Sequence, residues 1–137
     1  MNYLLDSNVV SEVRRRAADG NVIAWFRSVP PGALFLSAIV IGEVRGGIDR
    51  LRPRDSAQAD VFEAWLHELL TSFADRILPI DAEVAEEWGR LTAPRTLPVE
   101  DGLMAATANV RRMIFVTRNV ADLAGTGTRV LNPWETR

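Results

Sequence analysis

Short apolar runs alternate along this chain with longer segments in which apolar residues return every three or four positions, and that alternation leaves few folds open. Tyr3-Leu4-Leu5, Ala33 to Leu36, Ile77 to Ile80, Met113 to Thr117 and Arg129 to Leu131 have the length and composition of short strands. Pro79 marks the third of them as an edge strand, because proline cannot donate to a ladder. Between these runs Val40, Val44, Ile48 and Leu51 share one helical stripe. Val61, Phe62, Trp65, Leu66, Leu69, Leu70 and Phe73 make the longest stripe, read as packing material. Further helices are expected from near Val9, from an Asn21 cap through Trp25 to Ser28, from an Asp81 cap through Val84, Trp88 and Leu91, and from Pro98 onward. Parallel strands need crossover connections, which helices supply, so the expected fold is α/β, with a mainly parallel sheet and helices on both faces. The 137 residues, 47% hydrophobic and 25% charged, suit one domain spanning 1–137.

The absence of cysteine removes thiol nucleophiles, zinc–thiolate sites and iron–sulfur clusters together. All 16 basic residues are arginine and the net charge is −2, so any nucleic-acid binding has to be local rather than a property of the whole body. No basic start followed by an apolar stretch opens the chain and no run of apolar residues is long enough to span a bilayer, which predicts a soluble, cytoplasmic protein without a membrane partner.

In open parallel sheets the ligand lies beyond the carboxyl ends of the strands, which singles out Asp6, Ser37 and Thr117. Asp6 follows the first apolar run, where a plain helix cap is the competing reading. Glu43 sits among Val40, Ile41 and Val44, against the alternative of a solvated helix face paired with Arg45 or Arg50. Gly46 and Gly47 beside it each cost about 1 kcal/mol in a helix interior, so close approach of a backbone, a ligand or a packed helix is expected there. Asp101 lies in the first turn after Pro98, in register with Met104, Ala105 and Ala108, and is preferred over Glu100; macrodipole electrostatics alone would also account for it. Thr117, Arg118, Asn119 and Asp122 add a hydroxyl, a cation, an amide and a carboxylate after the fourth run, as an ordinary turn also would. An all-oxygen set of this kind suits a hard cation, Mg²⁺ or Mn²⁺, and not zinc. His67 is read as a surface residue, Trp25, Trp65 and Trp88 as core, Trp134 as an anchor for the last strand, and Arg14-Arg15-Arg16 either as a solvated loop or as a track for an RNA backbone.

The segments LLDSNVVSE, LSAIVIGEVRGGI, PVEDGLMAATA, VTRNVADL and LNPW, in this order, resemble the PIN domain, and specifically the VapC and FitB toxins of bacterial toxin–antitoxin pairs. The resemblance spans the chain and implies a three-layer α/β/α PIN-like domain whose metal-binding acids fall on Asp6, Glu43 and Asp101. It also implies a Mg²⁺-dependent endoribonuclease, with Mn²⁺ as substitute, that hydrolyses RNA phosphodiesters, pairs with a cognate antitoxin and forms a homodimer. Asn119 stands where several relatives have aspartate, while others show asparagine followed three residues later by aspartate, as Asp122 follows here, so Asn119 and Asp122 are both open for the fourth position. Glu43 and Asp122 are both open as the general base, Ser7, Asn8 and Thr117 as orienting groups, and Arg118 as a phosphate contact. The rivals are a non-catalytic RNA- or protein-binding module and, further back, a phosphoaspartate-type phosphatase, disfavoured by Asn8 two residues after Asp6 and by the missing lysine.

Overall fold

The structure, a computed structural model, describes residues 1–135. Five strands, β1 (Tyr3–Leu5), β2 (Leu34–Ser37), β3 (Ile77–Leu78), β4 (Ile114–Val116) and β5 (Val130–Leu131), form one sheet in the order β3-β2-β1-β4-β5. Every pairing is parallel, with Tyr3 opposite Leu34 on one side and Ile114 on the other. The helices are α1 (Ser7–Val13), α2 (Gly20–Ser28), α3 (Ala38–Leu51), α4 (Ser56–Phe73), α5 (Ala82–Thr92) and α6 (Val99–Arg111). The expected α/β/α layering is therefore present.

Alternation along each strand sorts side chains to two faces. Leu4, Phe35 and Phe115 pack with Val84 and Leu91 of α5 and with Met104, Ala105 and Ala108 of α6. Leu5, Leu34, Leu36 and Val116 pack with Val9 and Val10 of α1, Trp25 of α2 and Leu69 of α4. Helix α3 joins the layers: Val40 belongs to the first core, and Ile48 packs with Ala59 and Leu66 of α4 in a third cluster. β3, which precedes Pro79, is an edge strand as expected.

Several local expectations need correction. Asp19, not Asn21, caps α2, accepting from the backbone N–H groups of Asn21 and Val22 at 2.9 and 3.1 Å. Both residue types are good caps, and Asn21 lies inside the helix, which starts at Gly20. Helix α1 starts at Ser7 because Asp6 is itself the cap. On α4 Val61 and Leu70 are 51% and 44% exposed, so its buried stripe is narrower than the apolar pattern implies. No backbone lies close to Gly46 or Gly47: a Cβ on Gly46 would meet only the Arg50 guanidinium, and one on Gly47 would meet nothing within 4 Å. The tight glycine approach occurs instead at Gly102, where a Cβ would sit 3.1 Å from the Trp88 ring across the α5–α6 contact.

Candidate metal centre at the carboxyl ends of the strands

Strand order reverses direction at β1. The chain runs outward from β1 through β2 to β3, then crosses back to place β4 on the other side of β1. The crevice beyond the ends of β1 and β4 is thus the topological switch point, where open α/β sheets bind ligands. Asp6 and Thr117 are the residues immediately after these strands, and both are buried.

Asp6 does more than cap a helix. Its backbone N–H continues the ladder to the Val116 carbonyl at 2.9 Å, and its Oδ1 accepts from the Ser7 N–H at 2.7 Å and the Ser7 hydroxyl at 3.3 Å. The other oxygen, Oδ2, accepts from the Thr117 hydroxyl at 2.6 Å, a bond closed between strands 111 residues apart. Asp6 is only 2% exposed, unlike a surface cap, and both its oxygens are oriented by fixed donors. Thr117 Oγ1 in turn accepts from the Asn119 N–H at 3.0 Å, shaping the turn after β4.

Glu43 projects from α3, half-buried, and its Oε1 is buried with no hydrogen-bond partner among the described residues. Its carboxyl titrates above the usual range, first because burial penalises the charged form, then because Asp6, Glu100 and Asp101 repel it; the Ser7 hydroxyl offsets part of this. Asp101, half-buried in the first turn of α6, is pushed up in the same way, by burial first and then by Asp6, Asp122 and Glu100. Acids from β1, α3, α6 and the turn after β4 therefore feel one another's charge. Among the described residues, no three His, Cys, Asp or Glu side chains close to the spacing of a finished metal site. The donors are all oxygen, and an unpartnered buried carboxylate oxygen faces the group, which fits a hard divalent cation.

The remaining candidates are placed unequally. Glu100 is exposed while Asp101 turns inward, as the register implied, yet the Glu100 charge still reaches the cluster. Asp122 is exposed on a 3-10 turn, within electrostatic reach of Asp101, and Asn119 is exposed beside it. Arg118 stacks its guanidinium 4.9 Å from the Trp134 ring centroid, next to Thr117. The Asn8 side-chain oxygen is buried without a partner beside Glu43. Ser37 is fully buried as the cap of α3, its hydroxyl accepting from the Ile39 N–H at 3.2 Å. In the Arg14–Arg16 run, Arg14 lies over the rings of Phe62 and Trp65 and Arg15 pairs with Glu12, so the run is largely engaged by the protein itself. Glu12, which the sequence did not single out, is buried and also accepts from the Asp19 N–H at 2.8 Å, pinning the α1–α2 loop.

Compared with known proteins, residues 3–122 match the PIN domain family. The chain is 30% identical to VapC ribonuclease Y4jK of Sinorhizobium fredii, over 96% of this chain and 97% of that protein. It is 33% identical to Toxin FitB of Neisseria gonorrhoeae, again over 96% and 97%. Its fold superposes on the crystal structure of FitAcB from the same organism with a TM-score of 0.87 at 32% identity, covering 98% of this chain and 99% of that one. A toxin–antitoxin complex from Klebsiella pneumoniae is similar at a TM-score of 0.73 and 26% identity, covering 98% of this chain and all of that one, 100%.

Proposed function

The chain belongs to the PIN domain family, and on that premise we propose that it is the ribonuclease toxin of a type II toxin–antitoxin pair, hydrolysing RNA phosphodiester bonds with Mg²⁺ held by Asp6, Glu43 and Asp101. The observation that carries the metal assignment is Glu43: a half-buried carboxylate with an unpartnered oxygen, repelled by Asp6, Glu100 and Asp101, suits a divalent-cation ligand. A bound Mg²⁺ supplies Lewis acidity at the scissile phosphate and eases deprotonation of water.

The chain's own groups set the rest. The Ser7 N–H and the Thr117 hydroxyl hold the Asp6 carboxylate in one orientation, so that its oxygens stay directed at the crevice. Glu43, half-buried in the cleft, and Asp122, exposed at its rim, are the two carboxylates placed to take the proton of the attacking water. Asp122 and Asn119, at the rim, share the fourth position. Arg118, held by Trp134, offers a planar donor pair to a phosphate beside Thr117. Mn²⁺ replaces Mg²⁺ on chemical grounds, since both take oxygen ligands. A cognate antitoxin masks the site until it is removed, the toxin works as a homodimer, and its place is the cytoplasm, where RNA is met. No helix of the described residues is long and apolar enough to cross a membrane.

Purified protein, freed of antitoxin, and its Asp6→Asn variant, checked for folding by circular dichroism, are incubated with total cellular RNA in Mg²⁺ or in EDTA, and new ends are mapped by sequencing. New ends that need both Asp6 and Mg²⁺ are expected. Folded wild-type protein that makes no metal-dependent ends in any RNA class would instead leave a binding module as the reading.

A further inference from the structure

We propose that the cleft between α1, α3 and α4 is a binding track for single-stranded RNA, in which Arg50 and Arg54 take phosphates while a base lies against the Phe62–Trp65 wall. This rests on the nuclease reading above and deepens it by naming the strand's path and its conformation.

Four positions on one stripe of α3 and its continuing turn, Glu43, Gly47, Arg50 and Arg54, line a cleft of 530 Å³. The stripe follows helical spacing, so Glu43 at one end belongs to the metal centre and Arg50 lies about 10 Å further along the axis. Gly47 between them leaves the floor open, because a Cβ there would meet nothing within 4 Å. Gly46 lets Arg50 fold back towards Glu43, since its missing Cβ would stand 3.1 Å from Arg50 Nη1. These placements give the two glycines a use that helix packing does not.

The arginines of this segment divide by face. Arg45 is paired with Glu63 and Asp49, and Arg52 with Asp60 and Glu63. Among the described residues no ion pair engages Arg50 or Arg54. Two exposed cations without an ion-pair partner among the described residues thus line the cleft of an otherwise acidic protein, leading to the candidate catalytic acid, and a polyanion is the ligand they complement.

The remaining walls match a nucleobase. Val44, Ile48, Leu51, Phe62 and Trp65 give an apolar lining in which the Phe62 and Trp65 rings meet at 63°, with Arg14 4.6 and 4.7 Å from their centroids. From α1, Ser7, Asn8 and Ser11 add polar groups, including the Asn8 oxygen that is buried without a partner. An aromatic wall beside paired cations is how proteins hold unstacked, single-stranded bases, whereas a duplex keeps its bases out of reach of such a slot.

The test is fluorescence anisotropy of labelled single-stranded octaribonucleotides with the full chain in EDTA, so that no cleavage is needed to read binding. Arg50→Ala/Arg54→Ala is expected to weaken binding at least about tenfold and to lower the log–log salt slope by roughly 1.4, about 0.7 for each lost phosphate contact. Gly47→Leu, which fills the cleft and improves helix propensity, is expected to weaken binding with the salt slope unchanged. A duplex of the same sequence is expected to bind more weakly than the single strand. Variants that bind and respond to salt as the wild type does overturn the proposal, even where the wild type cleaves RNA. So do variants that keep oligonucleotide affinity but lose a co-purifying antitoxin, an outcome that assigns the cleft to protein. Failure of the wild type to cleave any RNA would remove the nuclease reading and leave the binding pattern to decide the cleft.

Discussion

Asp6 is both the cap of α1 and a buried carboxylate, and the 2.6 Å bond from Thr117 fixes its second oxygen. Thr117→Val keeps the shape and removes that donor, so it is expected to lower RNA cleavage by roughly 10- to 100-fold with folding retained. Steady-state cleavage beside circular dichroism checks this. The raised pKa values of Glu43 and Asp101 have a consequence for stability. Their protonated forms are favoured in the fold, so their contribution to stability is full below the ordinary carboxyl range near about 4 and is lost as pH rises through the folded-state values. In EDTA the melting temperature of the wild type should therefore fall, relative to Glu43→Gln, as pH rises from 4 to 8. Mg²⁺ should raise it most at the upper end, where both acids are charged. Parallel melting curves for the two proteins across that range would contradict the shift assigned to Glu43.

At the scale of elements, the two glycine environments make opposite predictions. Gly102→Val drives a side chain into the Trp88 ring where α5 crosses α6 and is expected to cost about 1–3 kcal/mol. Gly47→Ala adds a methyl to open space inside α3 and is expected to add up to about 1 kcal/mol. Urea denaturation of both separates the two environments. The same contrast shows what a linear chain reveals. Strand ends, caps and first-turn acids are local, so the places of Asp6 at the end of β1 and of Asp101 in the first turn of α6 were legible from their neighbours. The tight spot was expected at Gly46-Gly47 and lies at Gly102, because helix–helix approach depends on which elements the sheet brings together. Val61 and Leu70 fit the apolar period of α4 yet face outward, since periodicity finds a stripe without saying how wide a stripe its neighbours cover. Glu12 escaped notice for a similar reason: its partner, the Asp19 N–H, is defined only once the α1–α2 loop closes.

For the molecule as a whole, the sheet order brings acids from four distant segments within electrostatic reach of one another, and the cleft that holds Glu43 also holds Arg50 of α3 and Arg54 after it, which no ion pair engages among the described residues. The alternation of apolar runs and helical stripes was enough to indicate the parallel layering, while the direction in which β4 crosses back was not, because no local signal encodes it. That crossing brings the Thr117 hydroxyl to the Asp6 carboxylate. A net charge of −2 leaves any binding of nucleic acid to local cations rather than to the whole surface. The claim on which the account depends is that these acids form a divalent-cation site. Titration of the purified, antitoxin-free protein with Mn²⁺, followed by the loss of the free-ion electron paramagnetic resonance signal, measures it directly. The account predicts saturable Mn²⁺ binding by the wild type that Mg²⁺ displaces and that a folded Asp101→Asn variant loses. Identical titrations for the two proteins would contradict it.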